Sequence, residues 1–165
     1  MLINLRQFFE TENYTEKLDY EIDFSEYELF FKKPFLTPVK ILATISKKTE
    51  IVTLKLEVSF KLNLDCDRCA TEFEREFEYD FEHTIVKSTQ NDNDEYIIVG
   101  ENSEIDLDEL ILADILLQLP TKILCDENCK GICDGCGKDL NNDDCECKHT
   151  NIDPRLQILG TLLDK

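Results

Sequence analysis

Six of the chain's eight cysteines lie between positions 125 and 147, in CDENCKGICDGCGKDLNNDDCEC. The spacing is C-x3-C-x3-C-x2-C-x8-C-x-C, and the remaining pair, Cys66 and Cys69, sits in LDCDRCATEF. Sulfur at this density can be disulfide-bonded, bound to an iron–sulfur cluster or bound to zinc. The opening MLINLRQFFETEN has neither a basic n-region nor a long apolar h-region, so no export signal is expected. A chain kept in a reducing compartment rarely carries structural disulfides. The spacing fits neither the bacterial nor the plant-type ferredoxin run. Zinc suits it: thiolates bind the ion tetrahedrally, and a C-x2-C turn lets two sulfurs converge on it. Cys133, Cys136, Cys145 and Cys147 are expected to form one site. Gly135 and Gly137 flank Cys136, where a tight knuckle needs positive φ or a close backbone approach. Cys125 and Cys129 then pair with Cys66 and Cys69 in a second site, which would pin a distant hairpin to this module. Other divisions of residues 125–136 are open, and His149 can stand in for a sulfur. The expected cofactor is therefore one or two Zn2+ ions.

Charge narrows the partners. Formal net charge is -18, and two closed four-thiolate zinc sites would take it to about -22. The arginines are Arg6, Arg68, Arg75 and Arg155. Phosphate neutralisation supplies much of nucleic-acid affinity, and no basic footprint of that kind is visible. An acidic chain suits a partner that is itself basic. No apolar run approaches a membrane span, so a cytoplasmic protein is expected.

The pattern upstream is that of a sheet. In IVTLKLEVSFKLNLD the even positions, Val52 to Leu64, are apolar and the odd ones mostly polar. That is the alternation of a half-buried antiparallel strand. VKILATIS at 39–46 is expected to pair with it through the KKTE turn. TEFEREFEYDFEH alternates in the opposite phase, with Phe73, Phe77, Tyr79 and Phe81 inward and Glu72, Glu74, Glu76, Glu78, Asp80 and Glu82 facing water. The two runs make a long hairpin tipped by Cys66 and Cys69. Pairing Asp65 with Ala70 sets Leu62 against Phe73 and Val58 against Phe77, and leaves Arg75 inward, opposite Phe60. A one-residue slip would turn the phenylalanines to the wrong face. A strand, not a helix, follows Cys69, which argues against thioredoxin-like chemistry. His83 is expected inward and structural.

Residues 1–9 and 20–31 are expected as short strands, 32–38 and 88–95 as loops, and YIIVG at 96–100 as a short buried strand. Asp106 and Glu109 make a capping pair for a helix over 106–119 that Pro120 ends. Apolar residues cover most of its circumference, so burial on more than one side is expected. NIDPRLQILGTLLDK is expected as a final helix with Asp153 at its N-cap and Pro154 at N1. The whole is expected to be an α+β fold: an antiparallel sheet with a long hairpin, one or two packed helices and a C-terminal cysteine-rich zinc module. Its parts are a β-rich domain at 1–124, the cysteine-rich module at 125–149 and the C-terminal helix at 150–165.

Several features together resemble a known family. They are the C-x-R-C after an extended strand, the Glu/Phe strand, an acidic loop, the DLDEL helix ending in Leu-Pro, the CKGICDGCGKDLN run closed by C-E-C, and the terminal DPRLQIL. They are similar to the YceD family, the large ribosomal RNA subunit accumulation proteins of bacteria and chloroplasts. The likeness spans about residues 40–165. It implies a non-enzymatic factor needed for normal levels of large-subunit ribosomal RNA. In many bacteria of this family the gene lies beside that of a small basic ribosomal protein. The likeness carries over Cys66, Arg68 and Cys69 of the first motif, and Cys125, Cys129, Cys133, Cys136, Cys145 and Cys147 of the second. Some members have the first motif without the full second cluster, which implies that Cys133, Cys136, Cys145 and Cys147 are a stabilising addition.

The expected function is thus ribosome biogenesis by binding, the partner being either ribosomal RNA precursor or a basic ribosomal protein in the pre-ribosomal large subunit. Both histidines are isolated and there is no glycine loop for phosphate, so no enzyme is expected. A patch of Arg68, Lys122, Lys130, Lys138 and Lys148 around the metal sites is the candidate contact with phosphate. Two alternatives come from other classes. A zinc hydrolase would need an open coordination position, which all-cysteine sites lack. A redox-sensitive interaction module would release zinc on oxidation.

Overall fold

The computed structural model describes residues 1–11, 14–29, 31–48, 51–88, 96–100 and 103–147. The expected C-terminal helix, His149 and Lys148 lie outside these. Elements run β1 (Leu2–Asn4), α1 (Arg6–Glu10), β2 (Thr15–Ile22), β3 (Val39–Lys48), β4 (Ile51–Asp65), β5 (Glu72–Val86), β6 (Tyr96–Ile98), β7 (Glu104–Asp106) and α2 (Leu107–Gln118). The chain divides into two compact units, Met1–Leu64 with Phe73–Thr121, and Asp65–Glu72 with Lys122–Lys165. The hairpin tip therefore belongs with the cysteine-rich segment.

The first unit is built on a five-stranded sheet of order β2-β3-β4-β5-β6, beside a two-stranded ribbon of β1 and β7. Alternation in β4 is realised fully: Val52, Leu54, Leu56, Val58, Phe60, Leu62 and Leu64 are all buried. Each such side chain stabilises by about 1.5–3 kcal/mol relative to exposure. Antiparallel β3 meets them in kind, with Ile41 opposite Val58, Ala43 opposite Leu56 and Ile45 opposite Leu54. Lys47 shares that inward face, and its Nζ donates to the Phe9 carbonyl at 2.7 Å, which gives the ammonium a hydrogen-bond acceptor.

The β4–β5 hairpin keeps the expected facing but is displaced along its length. Phe60 stacks on Phe77 with ring centroids 5.5 Å apart and meets Tyr79 at 5.8 Å. The Lys55 ammonium lies 3.2 Å from Glu82. The reason is at the tip. Ala70 has φ +55, a left-handed conformation that cannot start a strand, and the Cys66 N–H donates to the Thr71 carbonyl at 3.0 Å. Arg75 is exposed rather than inward, where a charge would have had to be desolvated.

Other expectations are corrected. Residues 1–9 form a strand and then a helical turn. The strand expected over 20–31 ends at Ile22. β6 runs parallel to β5, with Thr84 opposite Tyr96, so the sheet is mixed, and Ile98 is exposed rather than buried. Asp106 does cap α2, but by accepting from the Asp108 N–H at 3.1 Å. That helix buries one stripe, Leu107, Ile111 and Ile115, while Leu117 is 86% exposed. His83 of β5 lies half-buried against Asp114 of α2, Nε2 to Oδ2 2.7 Å. Among the described residues no helix is long and apolar enough to cross a membrane.

Candidate metal centres

The second unit holds all eight cysteines. At the tip, Cys66 to Thr71 form a knuckle closed by the Ala70 N–H donating to the Cys66 carbonyl at 2.8 Å. Asp67 then captures the later segment twice: its N–H donates to the Ile123 carbonyl at 2.8 Å, and its carboxylate accepts from the Ile123 N–H at 2.6 Å. Arg68 follows, its Nη1 donating to the Cys129 carbonyl at 2.7 Å while its own carbonyl accepts from the Ile132 N–H at 3.2 Å. Gly131 has φ +78, and a Cβ there would lie 3.0 Å from the Arg68 carbonyl oxygen. Only glycine suits both constraints.

These contacts gather Cys66, Cys69, Cys125 and Cys129 into one group, with the four Sγ atoms within 4.8 Å of one another. Cys133, Cys136, Cys145 and Cys147 form a second group on the same criterion. None of the eight is in a disulfide. A tetrahedral ion with metal–sulfur bonds near 2.3 Å sets its sulfurs about 3.8 Å apart. In the first group Cys66 and Cys129 are 3.8 Å apart, and Cys69 and Cys125 3.7 Å. In the second, Cys136 and Cys145 are 3.4 Å apart, and Cys133 and Cys145 3.3 Å. The first group is already spaced for a cation, and the second needs to open by a few tenths of an ångström. Either can hold a metal ion.

Local backbone supports the second group too. The Gly135 N–H donates to Cys133 Sγ at 3.3 Å, and the Cys147 N–H to Cys145 Sγ at 3.2 Å. A Cβ at Gly135 would meet the Cys147 side chain at 3.5 Å, and Gly137 has φ +73.

Electrostatics in each group split the thiols. Burial opposes the Cys66 thiolate, but N–H groups of Cys125, Cys69 and Arg68 outweigh it and bring the pKa down to about 6. Desolvation and the neighbouring sulfurs of Cys129, Cys66 and Cys69 push Cys125 up to about 12. In the second group the Cys136 N–H, the Cys145 side chain and the Gly135 N–H bring Cys133 down to about 6. Contacts with Cys145, Cys136 and Cys133 push Cys147 up to about 12. Crowding opposes several thiolates side by side, and a divalent cation is what lets all four ionise.

Of the expected phosphate-contacting residues, Arg68 is committed to the Cys129 carbonyl. Lys122, Lys130 and Lys138 are exposed. Lys138 borders a shallow depression with Cys136, Asp144, Cys145, Glu146 and Cys147. Sequence reasoning missed Asp67 and Gly131, whose roles appear only once the tip and the 122–132 segment are adjacent. It missed Asn141 as well, whose Nδ2 lies 3.4 Å from Cys129 Sγ.

The family model described as "Large ribosomal RNA subunit accumulation protein YceD" matches residues 54–163. The chain is also similar to "Uncharacterized protein YlbN" of Bacillus subtilis (strain 168), 28% identical over 130 residues, covering 78% of this chain and 76% of that protein. No solved structure matches at a significant level.

Proposed function

From the premise that this chain belongs to the YceD family, we propose that it is a non-enzymatic factor of large-subunit ribosome biogenesis that acts in the cytoplasm by binding a basic ribosomal protein. Its cysteine module is braced by two Zn2+ ions, one held by Cys66, Cys69, Cys125 and Cys129, the other by Cys133, Cys136, Cys145 and Cys147. The family's description supports the role in accumulation of large-subunit ribosomal RNA. The binding mode rests on one observation: Glu72, Glu74, Glu76, Glu78, Asp80 and Glu82 lie exposed along the outward side of β5. Lys61 and Lys55 of β4 meet Glu74 and Glu82, and the row as a whole stays acidic. Such a strip attracts a cationic surface and repels phosphate. Arg68 already donates to the Cys129 carbonyl, which leaves fewer of its N–H groups for phosphate.

Zinc fits the donor set. Four thiolates per ion close the coordination sphere, which suits a structural centre and leaves no position for a substrate. Each ion would supply the positive charge that lets all four sulfurs ionise. The chain's own residues do the rest: Asp67 and Arg68 hold the two segments together, and backbone N–H groups orient the sulfurs.

The test is capture of tagged protein from growing cells, with and without nuclease. A basic large-subunit protein should remain bound after nuclease, and the triple change Glu76→Lys, Glu78→Lys, Asp80→Lys should release it. Loss of every bound protein on nuclease treatment, with RNA held by the untreated sample, would make RNA the partner instead.

A further inference from the structure

Asn141 lies in the loop that joins Cys136 to Cys145 of the second group, yet its amide reaches the first. Its Nδ2 donates to Cys129 Sγ at 3.4 Å and to Asp139 Oδ1 at 2.7 Å. Its Oδ1 accepts from the Lys130 N–H at 2.8 Å. That last bond fixes which way the amide points. A backbone N–H can only donate, so the oxygen must face Lys130, and the NH2 must face the sulfur and the carboxylate. Cys129 is 2% exposed while Asn141 is itself exposed, so the bond runs from a surface amide to a buried sulfur.

The loop is laid along the segment between the two groups. The Leu140 N–H donates to the Gly131 carbonyl at 2.8 Å and the Cys133 N–H to the Lys138 carbonyl at 2.8 Å, with Ile132 bridging Asp139. Both ends of the loop are anchored in second-group ligands. An ion there would hold those ends together and so keep the Asn141 amide against the first group.

We infer that Asn141 is a positioning residue that couples the two metal centres, its amide N–H stabilising the Cys129 thiolate of the first centre from a loop whose placement depends on the second. This rests on the zinc reading proposed above. An N–H bond to a metal-bound thiolate withdraws electron density from the sulfur and slows its protonation and release. Loss of metal from the second centre therefore loosens the first, and by linkage the first favours filling of the second.

The experiment uses the full chain loaded with isotopically labelled zinc and chased with an excess of unlabelled zinc, so that both centres stay filled while label is lost. Wild-type protein should hold two ions and release them in two phases. The slow phase is assigned to the first centre by its absence from Cys66→Ser/Cys69→Ser, which lacks that centre. Asn141→Ala should keep both ions but speed the slow phase by about tenfold, the low end of what outer-shell partners of metal ligands contribute. Cys136→Ser/Cys145→Ser should release its single ion at that same faster rate, and adding Asn141→Ala should change it little further. Asn141→Asp keeps an acceptor for the Lys130 N–H but presents oxygen to the sulfur, and it carries the test if the alanine variant fails to fold. In the cobalt-substituted protein it should also move the thiolate-to-metal charge-transfer band, which mere loosening of the loop would not. An unchanged slow phase in these variants, or full additivity in the serine background, would overturn the coupling. Fewer than one ion per wild-type chain would instead remove the zinc reading itself, before any variant is compared.

Discussion

The two cysteine groups differ in how far the chain travels to make them. In the first, Cys66 meets Cys129 across 63 positions and three of the four residues are buried. In the second, Cys145 meets Cys136 across nine positions and Cys133 across twelve, while Cys136 and Cys147 are exposed. Closing the longer loop removes more freedom from the unfolded chain, by about 2 kcal/mol on chain-entropy grounds alone. The same four thiols per group thus do different work. The first group joins two distant segments into one unit, and the second tightens a segment that is already local.

The largest expected effect follows from that asymmetry. Cys129→Ser should remove one metal ion and cost on the order of 5 kcal/mol or more, because metal binding at such a site is largely folding free energy. Cys136→Ser should also remove one ion but lower the thermal midpoint much less. Equal losses for the two variants, by calorimetry with metal counting, would erase the distinction. Gly131→Ala is smaller again. Its Cβ would crowd the Arg68 carbonyl at φ +78, costing about 1–3 kcal/mol. It should weaken the first centre before the second, which selective metal release would read.

The smallest effect is one of pH. To hold metal, Cys125 and Cys147 must give up protons at any pH below about 12. Cys66 and Cys133 must do so as well below about 6. The metal-free form therefore binds more protons, affinity falls as pH falls, and it falls more steeply below about pH 6. Because the two groups share these values, their profiles should run parallel. A large separation in steepness would mean that acidity, not burial and loop length, distinguishes them.

Much of the sheet was legible because alternation is a local signal. Val52 to Leu64 dictate both a strand and its inward face. Sulfur spacing likewise pointed to two groups of four, since C-x-R-C and C-x3-C each lack two ligands. The displaced hairpin pairing was not legible, because it is set by the left-handed backbone at Ala70, and alanine gives no warning of that. β6 read as buried because Ile97, Ile98 and Val99 are apolar, whereas burial depends on what covers an edge strand. The contact made by Arg68 within the module was hidden for a related reason. Exposed arginine beside a metal site suggests phosphate, and only the fold shows its guanidinium turned to the Cys129 carbonyl. Asp67, Gly131 and Asn141 carry contacts between segments distant in sequence, which no local pattern encodes.

The central claim is that this chain carries two closed, all-sulfur metal centres. Zinc-edge X-ray absorption on the full chain, combined with a metal count, tests it most directly. The account predicts two zinc ions per chain, each with four sulfur neighbours at about 2.3 Å. Nitrogen or oxygen in the coordination shell, or less than one ion per chain with the thiols paired as disulfides, would contradict it.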